Sequence, residues 1–111
     1  MRRYTLHVSH VILAMALLGA VGANAQQHPM FRDADVAQGE TLIEQNKCEA
    51  CHARRVGGDG RAIYNPKGRI NTPGALRGMV EYCNTELNLG FFPEDTHAVA
   101  AALNLRHYKF R

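Results

Sequence analysis

Tryptophan is absent from this 111-residue sequence, and phenylalanine and tyrosine together make up 7% of it. A chain so short and so poor in large aromatic side chains has little to fill a core with, and domains of this size recruit disulfides, metals or partners. Cysteine is scarce as well: there are three, an odd number that excludes a fully paired disulfide scaffold within one chain. Nor does any apolar run reach the roughly 20 residues of a membrane-spanning helix. The longest, over residues 11–23, follows Arg2 and Arg3 and ends in the small-residue triplet Ala23-Asn24-Ala25. That is the layout of a secretory leader. Cleavage is therefore expected after Ala25, with residues 1–25 removed as a signal peptide, residues 26–111 forming one domain, and no membrane association of the mature chain.

The leader also has no acidic residue. All 10 carboxylates lie beyond it, so losing Arg2 and Arg3 lowers the formal net charge from +3 to +1. A near-neutral mature chain gives no electrostatic case for nucleic acid or for anionic lipid as a partner.

What is present is Cys48-Glu49-Ala50-Cys51-His52, the C-x-x-C-H pattern of covalent haem attachment. On one helical turn the two thiols can each form a thioether to a haem vinyl group, and the imidazole that follows reaches the iron from the proximal side. The expected cofactor is thus one covalent haem c on Cys48 and Cys51, with His52 as an iron ligand and an apolar body that makes up for the missing aromatics. A redox dithiol of the thioredoxin kind needs a βαβ context, whereas the stretch before Cys48 has helical spacing. Zinc needs further paired ligands, and Cys83, His28, His97 and His107 are scattered singly.

Along the mature chain, residues 26–32 are polar and read as a loose arm. A first helix is expected from Asp35, an N-cap with Gln38 three residues on, running through Val36, Gly39, Leu42 and Ile43 to the haem motif. Gly39 is costly inside a helix, so close approach of another helix is expected there. Residues 53–71 carry Gly57, Gly58, Gly60, Pro66 and Gly68 and read as a loop, a strap over one haem edge with Val56, Ile63, Tyr64 and Ile70 to bury. Its basic residues Arg54, Arg55, Arg61, Lys67 and Arg69 read as a solvated rim, with propionate pairing or docking of a redox partner as the functional alternative. Thr72-Pro73 opens another helix whose Leu76, Met79, Val80, Cys83 and Leu87 share a face and which stops near Gly90. Phe91-Phe92 connects it to a last helix that opens at Pro93-Glu94-Asp95 and runs through Val99, Ala102 and Leu103 towards Tyr108. The expected fold is all-α, about three main helices wrapped around one covalently bound haem.

A glycine in the first helix ahead of C-x-x-C-H and a last helix rich in small residues resemble the small monohaem cytochromes c. In that family the first and last helices cross at close range, which would place Gly39 against residues 98–102. The family's ordinary members supply a distal methionine shortly before the last helix, yet residues 84–95 contain none. Instead Val80-Glu81-Tyr82-Cys83-Asn84, Phe91-Phe92-Pro93-Glu94-Asp95 and the ending Tyr108-Lys109-Phe110 resemble the His/Cys-ligated c-type cytochromes of anammox bacteria and their relatives. The resemblance implies a periplasmic protein, since haem is attached to such motifs beyond the inner membrane, and a cysteine as distal ligand.

Cysteine arithmetic reaches the same residue: with two thiols consumed by thioethers, Cys83 is the odd one. It can bind the iron, sit inert in the core, or pair with another chain. Met79, one turn earlier on the same face, is the fallback ligand; His97, His107, His28 and Met30 rank behind it, and an open iron is the remaining alternative. A bound Cys83 would be a thiolate, which favours ferric iron and lowers the reduction potential. The expected function is electron transfer with redox proteins as partners, not enzymatic catalysis. The alternative is redox-gated binding or sensing of NO or CO at a site that Cys83 vacates. A homo- or heterodimer is compatible with so small a core.

Overall fold

The computed structural model describes residues 27–111, so the expected leader and its cleavage point lie outside the described residues. Four α-helices make up the fold: α1 (Val36–Gln45), α2 (Cys48–Val56), α3 (Pro73–Glu86) and α4 (Pro93–Leu103). No strand occurs among the described residues, so the domain is all-α as expected. Three helix starts fall where the sequence signals place them. Asp35 Oδ1 accepts the Gln38 amide at 3.0 Å, Thr72 Oγ1 accepts the Ala75 amide at 3.1 Å, and Asp95 Oδ2 accepts the Phe92 amide at 3.0 Å. Each cap satisfies an amide that the helix itself leaves without a partner.

The helix count corrects the expectation of about three. The first helix does not run into the cysteine motif. Asn46 folds its side chain back onto the Leu42 carbonyl at 2.8 Å, and Lys47 takes a left-handed conformation with φ 51°. The chain therefore turns, and Cys48 opens a helix of its own that continues through residues 53–56, where a loop was expected.

The core lies where α1 crosses α4, the most extensive interhelical contact among the described residues. A Cβ on Gly39 would overlap the Ala98 carbonyl and lie 2.9 Å from the Val99 amide nitrogen. The small-residue stretch of α4 answers it, with Ala98, Ala100, Ala101 and Ala102 all buried. This is the close crossing expected from Gly39. Phe31, Ile43, Leu76, Val80 and Val99 complete the core.

Residues 26–32, read as a loose arm, are corrected over their described part. Phe31 is 0% exposed, and Gln27 is buried, donating to the Ala101 carbonyl at 2.8 Å while its Oε1 accepts from Asn104 at 2.9 Å. Buried Asn104 also binds both the amide and the carbonyl of Phe110, at 2.8 and 3.1 Å. Asn84 does the same for Phe91, at 2.9 and 3.1 Å. These two side chains fasten the chain end and the α3–α4 connector, because a buried amide side chain can satisfy a backbone donor and acceptor together.

The apolar face expected on α3 is split. Leu76 and Val80 are buried with Asn84, whereas Met79 is 38% and Leu87 58% exposed. Cys83 is half-buried between these two environments. Among the described residues no helix is long and apolar enough to cross a membrane.

Candidate functional site

Cys48 is the first residue of α2 and Cys51 lies one turn on, so the helix carries both thiols and His52 on a single rigid element. Cys48 and His52 are half-buried and Cys51 is exposed. Neither motif cysteine is in a disulfide, and Cys83 is free as well. The fold brings Cys83, from α3, close enough to the motif for the thiols to feel one another's charge: Cys48 is influenced by Cys83 and Cys51, and Cys83 by Cys51. Burial is the first cause that pushes the Cys48 thiol above its ordinary range, and the neighbouring Glu49 carboxylate adds to it. Burial likewise raises Cys83, with Cys51 next.

His52 is oriented by a hydrogen-bond chain. Its Nδ1 lies 2.9 Å from the Tyr64 hydroxyl, and that hydroxyl donates to Glu49 Oε1 at 3.1 Å. The Tyr64 proton is committed to a carboxylate, so the phenol oxygen accepts from His52, placing the imidazole hydrogen on Nδ1 and leaving Nε2 with a free lone pair. A metal-ligating histidine needs this arrangement, one nitrogen fixed by a hydrogen bond and the other available. Burial and the Glu49 charge push Tyr64 far above the usual phenol range, so it stays protonated.

Gly60 lets the loop come this close. It sits at φ 83°, where a Cβ would come within 2.7 Å of the Ala53 amide nitrogen and the Glu49 carbonyl oxygen. The single turn Arg61–Ile63 then packs on α2 and delivers Tyr64 to His52. From the other side His107 stacks on the Tyr64 ring, with centroids 4.5 Å apart and planes inclined by 19°.

The donor set suits a haem. A haem brings its own four ring nitrogens and asks the protein for one or two axial ligands, and here one imidazole with a free Nε2 stands beside two thiols one turn apart. Among the described residues no cluster of three or more His, Cys, Asp or Glu side chains could hold a bare metal ion, so the ligands of a zinc site do not assemble. Met79, one turn before Cys83, is partly exposed on α3. His97 packs against Phe31 at 5.5 Å between centroids and faces Asp33 at 3.6 Å. His28 accepts the Met30 amide at 3.1 Å, and Met30 is exposed. Arg54, Arg55, Arg61, Lys67 and Arg69 are all exposed, and Arg61 pairs with Asp59 at 3.4 Å, which fits the solvated rim.

Sequence reasoning missed the partnership of Tyr64 and Glu49. Tyr64 stood out only as an apolar residue of the loop, and Glu49 as filler between the cysteines. No spacing rule connects positions 49 and 64.

His107 gives the site a pH dependence. Burial lowers its pKa below the ordinary 6.5, the charges of Arg61, Arg106 and Lys109 add to this, and Glu49 opposes them. A histidine with a depressed folded-state pKa takes up its proton more readily when unfolded, so its stabilising neutral form is complete above pH 6.5 and is lost as pH falls below that value. Denaturant unfolding is expected to show lower stability at pH 5.5 than at pH 7.5, with a smaller difference in His107→Phe. An equal difference in both proteins would contradict the assignment.

No protein-family model matches the chain, and neither a curated protein nor a solved structure is significantly similar to it.

Proposed function

We propose that the protein is an exported, periplasmic monohaem c-type cytochrome that carries electrons. Cys48 and Cys51 would hold the haem by adding their thiols across its vinyl groups, His52 would ligate the iron through Nε2, and Cys83 would supply the distal sulfur, with Met79 as the alternative donor. A bound haem supplies a one-electron ferric/ferrous couple.

The observation that carries this reading is a C-x-x-C-H helix whose histidine has its Nδ1 engaged by Tyr64, with Cys83 of a separate helix near enough to the motif thiols to influence them. The chain's own residues have three tasks in it. The thioether cysteines prevent dissociation, so the carrier would keep its haem through repeated partner encounters. Tyr64, Glu49 and His107 hold the imidazole ring in place. α2, packed on α1 and on the Arg61–Ile63 turn, holds the three motif side chains on one element. Partners are redox proteins, which the exposed rim around residues 54–69 can meet.

Potentiometric titration of the purified protein, followed by its visible absorption, tests the reading. The expected result is a single reversible one-electron transition in haem bands. A two-electron thiol–disulfide couple without haem absorption would overturn it.

A further inference from the structure

Glu49 lies between the two thioether cysteines, and attaching a haem requires nothing of it. Its Oε1 accepts the Tyr64 hydroxyl at 3.1 Å. Its Oε2 is buried and has no hydrogen-bond partner among the described residues. A buried carboxylate oxygen without a donor is costly. Here it leaves the Tyr64 hydroxyl as the carboxylate's one side-chain hydrogen-bond donor among the described residues. Tyr64 in turn accepts from His52 Nδ1 at 2.9 Å. The three groups form a directional chain from imidazole to phenol to carboxylate, and Gly60 and the stacked His107 ring hold the phenol in it.

Resting on the haem reading above, we propose that Tyr64 and Glu49 are positioning residues that fix the tautomer of His52 and, through the shared hydrogen bonds, raise electron density on its Nε2. Hydrogen bonds in series polarise one another. A phenol whose proton is drawn towards a carboxylate is a better acceptor, and it pulls the Nδ1 hydrogen of His52 outward. The imidazole gains imidazolate character and becomes a stronger donor to the metal, as when a carboxylate backs a ligating histidine directly. The stronger donor favours ferric iron. The device acts on the proximal side and is independent of whether Cys83 or Met79 lies opposite.

The test compares the holoprotein with Tyr64→Phe and Glu49→Gln. Phenylalanine keeps the ring stacked on His107 and removes only the hydroxyl; glutamine keeps an acceptor for Tyr64 and removes the charge. Two readouts separate this role from a merely structural one: the midpoint potential, and the solvent exchange of the His52 Nδ1 hydrogen, seen by proton NMR in the ferric form. Tyr64→Phe is expected to shift the couple about tenfold towards ferrous iron, equivalent to about 59 mV for one electron, and to speed the exchange. Glu49→Gln is expected to shift the potential in the same direction by less. An unchanged potential in either variant, with haem bound and His52 still ligated, overturns the proposal while leaving the cytochrome reading intact. A wild-type protein purified without haem overturns both.

Discussion

Replacing Gly39 with alanine is expected to destabilise the folded domain severely. The added Cβ would overlap the Ala98 carbonyl and crowd the Val99 amide nitrogen. These are backbone atoms of a buried helix and cannot turn aside as a side chain can. The helices would have to separate along α4, which buries Ala98, Ala100, Ala101 and Ala102 against its neighbours. Overpacking of this severity is expected to cost more than about 4 kcal/mol, a large part of the roughly 5–15 kcal/mol that holds a small domain together. Gly78→Ala is the matched control. Gly78 lies inside α3, where a new Cβ meets nothing within 4 Å, so alanine should stabilise the protein by up to about 1 kcal/mol through helix propensity. Circular dichroism and denaturant unfolding of the two variants read out the contrast. Two equally mild effects would mean that α1 and α4 do not cross as described.

Cys83→Ala is expected to change the electronic spectrum of the bound haem and raise its reduction potential. The change should be on the order of 0.1 V or more, within the roughly 0.8 V that axial ligands span. The expectation rests on cysteine arithmetic together with the placement of Cys83 near the motif thiols. Cys83 is half-buried, its thiol is among the groups that influence Cys48, and Cys51 is among those that influence Cys83. Met79→Leu is expected to leave spectrum and potential as in wild type. A Cys83→Ala protein with unchanged absorption and EPR spectra, beside a Met79→Leu protein with altered ones, would reverse the ligand assignment.

Much of the fold is legible in the sequence because its signals are local. Asp35, Thr72 and Pro93 mark helix starts through backbone chemistry within three or four residues, and the starts fall there. Gly39 signalled a close crossing because glycine is costly inside a helix, and α4 answers it with a run of alanines. The break at Lys47 was not legible. Hydrophobic spacing runs smoothly from Val36 to the cysteines, and lysine has no special preference for the left-handed conformation it adopts at φ 51°. Nor was the docking of Gln27 legible, because its partners Ala101 and Asn104 lie at the far end of the chain.

The site divides in the same way. The motif Cys48-Glu49-Ala50-Cys51-His52 is a pattern of neighbours and reads directly. The hydrogen bond from Tyr64 to Glu49 depends on Gly60 bringing a loop back onto α2, a tertiary event that composition does not encode. Periodicity placed Met79, Val80 and Cys83 on one face, but the structure divides that face between the α4 contact and a half-exposed flank. Which flank is buried is decided by how α3 lies on α4, through the burial of Leu76 and Val80 together with the hold of Asn84 on Phe91.

We propose that Cys48 and Cys51 carry a covalent haem in the exported protein. Intact-mass and peptide mass spectrometry of the chain expressed in a host that matures c-type cytochromes test it most directly. The expected result is a chain beginning at Gln26, heavier by one haem, with the added mass on the peptide containing Cys48 and Cys51 and resistant to acid extraction. A chain at its bare mass with both thiols free to alkylation, or joined to each other in a disulfide, would contradict it.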